Sequence, residues 1–152
     1  MKNTSYFSPF SGSPLATWLN RKLHPYTREI RCSLNQHQLV IKLTQRADQA
    51  LAELPHTLTI EMQLYFSCMV KKRVLFHTQA VSFETDQVTP QLNIAYRSVQ
   101  SDTCSPEEFA AQYPQKQVLD NPVTKNRAPS ELSVDYIDNK WEGDFLISKN
   151  GN

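Results

Sequence analysis

Glycine is scarce in this sequence, and its scarcity excludes several kinds of site. The chain of 152 residues contains three glycines, Gly12, Gly143 and Gly151, which are far apart. Phosphate-binding loops and dinucleotide-binding fingerprints need clustered glycines, because only glycine lets the backbone approach the phosphates. The same shortage excludes a Gly-x-Ser-x-Gly nucleophile elbow.

Cysteines and long apolar runs are also few. The odd count of three cysteines, Cys32, Cys68 and Cys104, predicts free thiols rather than a disulfide framework. No segment approaches the roughly 18 apolar residues of a membrane span. Residues 1–14 lack the apolar run of a signal peptide. We therefore expect a cytoplasmic protein that has no membrane partner.

The residue types that ligate metals are scattered along the chain. The four histidines show neither the i, i+4 spacing of a helical metal site nor a neighbouring Cys-x-x-Cys pair. A calcium loop starting at Asp138 would place Lys140 and Lys149 at ligand positions, where their charges would repel the ion. The sequence therefore predicts no metal and no cofactor.

Alternating apolar residues dominate what is present. They predict seven strands, at 28–34, 38–43, 57–70, 74–83, 92–96, 132–137 and 140–147. Caps, helical spacing and prolines predict three short helices, at 14–23, 47–54 and 106–113.

This order predicts one α+β domain over residues 1–152. Strands that follow one another through hairpins pair antiparallel, so we expect a curved, mostly antiparallel sheet of about seven strands with the three helices packed on one side. A partly closed barrel that wraps a helix is the alternative. Residues 1–12 are expected to be flexible, and 115–130 to form a long irregular loop.

The first hairpin is expected to carry basic residues on its outward face. A turn within residues 35–38 pairs Leu34 with Leu39 and gives this hairpin one apolar face. In that register Arg31 lies opposite Lys42. Like charges in such a pair are destabilising by up to about 1 kcal/mol.

The last hairpin is expected to carry acidic residues in the same way. A turn at Asp138-Asn139 pairs Tyr136 with Trp141. The outward face then holds Asp135, Glu142 and Asp144. Two like-charged faces of opposite sign suggest that the hairpins pair with each other in one sheet, or meet across a dimer interface.

The charge distribution along the chain is uneven. Residues 1–46 contain seven basic residues and one acidic residue, whereas 101–152 contain five basic and nine acidic residues. A basic turn formed by Lys71, Lys72 and Arg73 is predicted at the tip of the hairpin between 57–70 and 74–83. Such a tip is suited to phosphate contacts.

No pattern in the sequence identifies a chemistry, so the function stays open. The favoured hypothesis is a non-catalytic binding or scaffolding domain that uses the charged sheet face, with a protein partner or a second copy of itself as a homodimer. The alternative is a nucleic-acid-binding accessory protein that uses the basic hairpin tip. A third hypothesis is a small enzyme with His77, Tyr96 and Asp135 in one pocket.

Overall fold

The structure is a computed structural model that describes residues 4–6, 14–66, 70–100, 117–118 and 127–149. These ranges contain ten strands and two helices. In chain order they are β1 (Thr4–Tyr6), α1 (Pro14–Leu23), β2 (Tyr26–Leu34), β3 (His37–Thr44), α2 (Gln45–Glu53), β4 (Leu58–Phe66), β5 (Val70–His77), β6 (Asp86–Thr89), β7 (Leu92–Gln100), β8 (Gln117–Val118), β9 (Arg127–Ile137) and β10 (Lys140–Lys149).

The strands form two sheets, so the α+β class is confirmed and the single seven-stranded sheet is wrong. Sheet A has four main strands in the order β5-β4-β7-β6, with short β1 paired to β5 and short β8 paired to β7. Sheet B has the order β10-β9-β3-β2. Neither sheet closes into a barrel within the described residues.

Each sheet consists of two hairpins joined by a central parallel pair. In sheet A the parallel pair is β4 with β7, and in sheet B it is β3 with β9. Six of the eight strand pairs in the described residues are antiparallel, so the mostly antiparallel expectation is confirmed, but the two central pairs were not predicted. A hairpin is specified by its own turn, whereas the pairing of one hairpin with another depends on contacts between distant segments.

One hydrophobic core lies between the two sheets. The Phe76 ring of sheet A stacks on Trp141 of sheet B at a centroid distance of 5.9 Å. Tyr96 and Phe145 meet edge to face at 6.3 Å across the same interface. Ala47 and Leu51 of α2, Ile41 of sheet B and Ile60 of sheet A belong to the same cluster of buried side chains.

The helix α2 forms at the predicted place because its start is well capped. The Thr44 hydroxyl accepts a hydrogen bond from the Ala47 backbone nitrogen at 3.2 Å, which satisfies one of the free donors of the first turn. Leu54 takes an extended conformation and ends the helix, as expected for a residue before proline. The third predicted helix, 106–113, lies outside the described residues.

The last hairpin has the predicted register. Trp141 pairs with Tyr136, and Glu142 pairs with Asp135. Asp138 and Asn139 have φ angles of 51° and 62°, as a tight two-residue turn between right-twisted strands requires.

The first hairpin has a different register from the one predicted. Its turn is also tight, with positive φ at Asn35 and Gln36, so Leu34 pairs with His37 rather than with Leu39. The shift of two residues keeps the same apolar face but changes every cross-strand partner. Arg31 pairs with Val40, so the predicted Arg31–Lys42 pair does not form.

The prediction of a basic hairpin tip at 71–73 is also wrong. β5 begins at Val70, so Lys71, Lys72 and Arg73 lie within the strand and pair with β4 residues. The strand therefore begins four residues before Val74, where the alternating pattern predicted its start. Residues 67–69, between β4 and β5, lie outside the described residues.

The sequence reading of the remaining segments is confirmed only in part. Strand β6 (Asp86–Thr89) was not predicted, and β9 begins at Arg127, inside the expected loop 115–130. Most of that loop, most of residues 1–12, Cys68 and Cys104 lie outside the described residues.

Candidate functional site

Helix α1 presents its apolar side chains to solvent. The four are Leu15, Trp18, Leu19 and Leu23, which are 66%, 52%, 46% and 73% exposed. They recur at helical spacing, and we call this set the α1 apolar face. The expectation that this helix packs its apolar side on a sheet is therefore wrong.

The polar side of α1 makes the contacts with the rest of the protein. The Asn20 side-chain oxygen accepts a hydrogen bond from Arg46 Nη2 at 3.0 Å. The Arg21 guanidinium lies 4.1 Å from the centre of the Tyr26 ring. Because these polar contacts hold the helix, its apolar face is directed away from the core.

The Arg46 side chain that holds α1 is itself fixed by a buried carboxylate. Arg46 donates from Nε to Asp135 Oδ1 and from Nη2 to Asp135 Oδ2, both at 2.7 Å. The Thr44 hydroxyl and the Tyr136 backbone nitrogen also donate to Oδ1, at 2.6 and 2.7 Å. Burial alone would raise the pKa of Asp135, but the hydrogen bonds from Arg46, Thr44 and Tyr136 outweigh it and lower that pKa.

Glu142 lies opposite Asp135 on the neighbouring strand, and its pKa is shifted in the opposite direction. Burial, and then the charge of Asp135, raise the pKa of Glu142, while Arg46 and Arg21 act in the other direction. The predicted acidic pair therefore exists, but Asp135 points into a buried ion pair instead of outward. It is not part of an open sheet surface.

A cleft of about 400 Å³ lies beside α1, where the helix meets the start of β2. Its charged and aromatic lining consists of Arg21, Tyr26, Arg28, Glu29 and Lys42. Three of these residues are basic and one is acidic, so the cleft has a positive lining. Burial leaves Arg21 Nη1 out of contact with solvent, and this atom has no hydrogen-bond partner among the described residues.

Two further predicted site residues, Arg31 and Lys42, lie on the outward face of sheet B, where each pairs with a carboxylate. Lys42 contacts Glu131 at 2.9 Å across the parallel pair. Arg31 is 83% exposed and contacts Glu29 at 3.3 Å. The two hairpins do lie side by side in one sheet, and Lys42–Glu131 is an ion pair between them.

The predicted basic and acidic residues of the other strands also have partners inside the protein. Lys72 contacts Asp144 at 3.3 Å and donates to the Phe145 carbonyl oxygen at 2.6 Å, which links β5 to β10. Arg73 is buried and donates to Gln63. Lys71 also has an interaction partner. These side chains stabilise the two-sheet fold.

A second polar cluster lies on the face of sheet A that is directed away from the core. Glu61 is 1% exposed and contacts His77 Nε2 at 2.7 Å and Arg97 Nη1 at 3.1 Å, while Gln63 donates to the same carboxylate. Burial alone would raise the pKa of Glu61, but the hydrogen bonds from His77 and Gln63 and the charge of Arg97 lower it. This face of β4 was expected to be solvated, and it is buried.

The residues of the enzyme hypothesis are not brought together. His77 contacts Glu61, the Tyr96 hydroxyl accepts from Ser98 at 3.5 Å, and Asp135 contacts Arg46. No hydrogen bond or ion pair joins any two of the three in the described part of the chain. Within the same ranges, no group of three or more His, Cys, Asp or Glu side chains is placed to hold a metal ion.

The sequence contains a signal for the orientation of α1 that apolar spacing alone does not show. Lys22 follows Trp18 at i+4, so a lysine lies within the apolar stripe of the helix. Its ammonium group is 4.2 Å from the centre of the Trp18 ring. A charged residue inside an apolar stripe favours an interface with water over a buried core.

Comparisons with protein-family models, with curated proteins and with solved structures found no match for this chain. Among the described helices, none combines the length and the apolar character that crossing a bilayer requires.

Proposed function

We propose that this protein associates peripherally with the surface of anionic phospholipid membranes, using the α1 apolar face. The observation that carries the proposal is the inverted packing of α1. Its polar residues Asn20 and Arg21 contact the domain, and its leucines and Trp18 are exposed. Exposed apolar patches of this kind mark interaction surfaces in soluble domains.

The side chains of α1 suit the boundary between headgroups and acyl chains. Helices that lie in this boundary combine Leu and Trp on one face with Lys or Arg beside them. Trp18 supports this arrangement, because tryptophan favours the interfacial depth. Lys22 extends along the Trp18 ring, so its charge would stay with the headgroups while its methylene stem lies on apolar surface.

Charge favours anionic lipids over zwitterionic ones. The α1 sequence contains Arg21 and Lys22 in its last turn and no acidic residue. Lys22, which lies beside the exposed Trp18 ring, would contribute about 1 kcal/mol of attraction to an anionic membrane surface, whereas Arg21 is turned toward Tyr26 of the domain. The acidic residues at and beside the cleft are already paired with basic side chains: Asp48 with Arg28 at 2.6 Å, Glu131 with Lys42 at 2.9 Å and Glu29 with Arg31 at 3.3 Å.

The size of the α1 apolar face argues against a second copy of the chain as its occupant. Four side chains that are each about half exposed offer roughly 300–400 Å² of apolar surface. A stable protein interface buries about 800 Å² on each partner. Pairing two α1 helices would also bring together cationic segments that have no acidic partner of their own.

This proposal changes two expectations from the sequence. A charged sheet face is a weak candidate for the binding surface, because Lys72, Asp135 and Asp144 form ion pairs within the protein. The expectation of no membrane partner rested on the missing membrane span. A helix that lies flat on the surface needs no such span.

The experiment is binding to vesicles of phosphatidylcholine with and without phosphatidylglycerol. Leu23→Gln should weaken binding about tenfold, because full burial of a leucine contributes about 1.5–3 kcal/mol. The matched control is Leu146→Gln, which alters a leucine of β10 that is 53% exposed and far from α1 in the chain. It should leave binding unchanged.

Tryptophan fluorescence gives a second readout. The chain has two tryptophans, and Trp141 is already buried at 7% exposure, so a blue shift on vesicle addition would report on Trp18. Trp18→Phe should abolish the shift. Equal binding by the Leu23 and Leu146 variants would refute the proposal, and so would a dimer in light scattering that dissociates in the Leu23 variant.

A further inference from the structure

We infer that the cleft beside α1 is a binding site for a phosphate monoester, such as the terminal phosphate of a lipid headgroup. This inference deepens the proposed function, because it names a headgroup chemistry for the membrane surface on which α1 would rest. The same chemistry is offered by a soluble phosphate monoester, and the experiment below separates the two sources.

Three basic residues converge on the cleft from three different elements. Arg21 comes from α1, Arg28 from β2 and Lys42 from β3. Such convergence from separate elements fixes the donors in space, which surface lysines on a single loop do not achieve. The hydrogen bond with Glu131 raises the pKa of Lys42, so its ammonium group is charged at neutral pH.

Arg21 forms no hydrogen bond or ion pair with the described residues. Its Nη1 atom is buried, so a ligand in the cleft would have to accept from one of the other two guanidinium nitrogens. Its guanidinium lies over the Tyr26 ring at 4.1 Å, which fixes the direction of the group. The charge of Arg21 acts to lower the pKa of Glu142, but no hydrogen bond joins these two side chains.

The other two cations are shared with carboxylates at the edges of the cleft. Arg28 contacts Asp48 at 2.6 Å with side chains 48% and 36% exposed, so water already screens that pair. Lys42 contacts Glu131 at 2.9 Å. Either cation keeps further donors for a ligand, because guanidinium has five and ammonium three.

The single carboxylate that lines the cleft is also compensated. Glu29 Oε1 accepts hydrogen bonds from Nε and Nη2 of Arg31, both at 3.3 Å. Its repulsion of an anion is therefore reduced. A phosphate monoester carries close to two negative charges and three terminal oxygens at neutral pH, which matches several converging donors better than a carboxylate does.

The experiment compares two anionic lipids in vesicles of equal surface charge. Phosphatidic acid presents a phosphate monoester, whereas phosphatidylglycerol presents a diester. Wild-type protein should prefer phosphatidic acid at least fivefold. Arg21→Gln should remove the preference, while Lys140→Gln, which removes one positive charge from an exposed side chain of β10 outside the cleft lining, should retain it.

A titration with glycerol 3-phosphate, followed by amide chemical shifts, tests the cleft without vesicles or variants. Saturable shifts centred on Arg21, Tyr26 and Arg28 together with a preference for phosphatidic acid support a lipid headgroup. Such shifts without the lipid preference identify a soluble phosphate monoester as the ligand.

The failures of the two proposals are distinguishable. No shifts and no lipid preference overturn the cleft site, even if Leu23-dependent vesicle binding persists. Loss of all vesicle binding overturns the proposed function, whereas saturable shifts with glycerol 3-phosphate would still support the cleft. Far-UV circular dichroism of Arg21→Gln shows whether α1 remains folded, and Arg21→Lys, which keeps the charge but loses the planar fork, should show a partial preference.

Discussion

Replacing Asp135 with Asn tests whether the buried ion pair beneath α1 stabilises the fold. The carboxylate accepts hydrogen bonds from Thr44, Tyr136 and two nitrogens of Arg46, all between 2.6 and 2.7 Å. Asn keeps the shape but turns one acceptor into a donor that faces Arg46. Arg46 also donates to Asn20, so the same change should loosen the attachment of α1.

The expected loss follows from the burial of the pair. The Asp135 side chain is 6% exposed and that of Arg46 is 25% exposed. Breaking a buried pair costs about 3–5 kcal/mol, and the partial exposure of Arg46 reduces this to about 3 kcal/mol. The melting temperature should fall by about 6–12 °C for a chain of this length. Asp48→Asn is the matched control, because its pair with Arg28 is surface-exposed and is expected to contribute less than about 1 kcal/mol.

Urea unfolding at several pH values provides the assay. The pKa of Asp135 is lower in the folded protein than in the unfolded chain. Its stabilisation should therefore be complete above the unfolded value of about 4 and be lost as the pH falls through the lower folded value. The difference between wild type and Asp135→Asn should shrink over that acidic range. Equal losses for the Asp135 and Asp48 variants at pH 7 would refute the reasoning.

Two further substitutions in the last hairpin are expected to change the free energy of unfolding in opposite directions. Because burial and the charge of Asp135 raise the pKa of Glu142, Glu142→Gln should stabilise the protein by up to about 1 kcal/mol at pH 7. This gain should disappear in urea unfolding below the unfolded pKa of about 4.3, where Glu142 is protonated. Gly143→Ala should cost about 1–3 kcal/mol in the same assay, through overpacking. Its added Cβ would lie 3.0 Å from Phe76 Cζ and 3.1 Å from the Ser133 carbonyl oxygen, so an unchanged stability would contradict the close approach of the two sheets.

The candidate site was only partly readable from the sequence. The basic residues of the cleft and the amphipathic pattern of α1 are visible in the sequence. The position of α1 beside the cleft, however, depends on the contacts of Arg21 with Tyr26 and of Asn20 with Arg46, and no sequence motif marks these partners. The charged residues singled out by the predicted hairpin registers mostly pair with one another or with neighbours. An error of two residues in one register is enough to change Arg31's partner from Lys42 to Val40.

The sequence by itself determined the local structure. Alternation of apolar residues with a period of two specified the strands. The Thr44 cap and the proline after Leu54 set the ends of α2, and the Asp138-Asn139 turn set the register of the last hairpin. Each of these signals acts over only a few residues. Only the tertiary structure decided that two sheets form around parallel central pairs and that both faces of β4 are buried. It also decided the orientation of α1. An amphipathic pattern shows that a helix has two faces, but long-range contacts such as Asn20 with Arg46 select which face meets the protein.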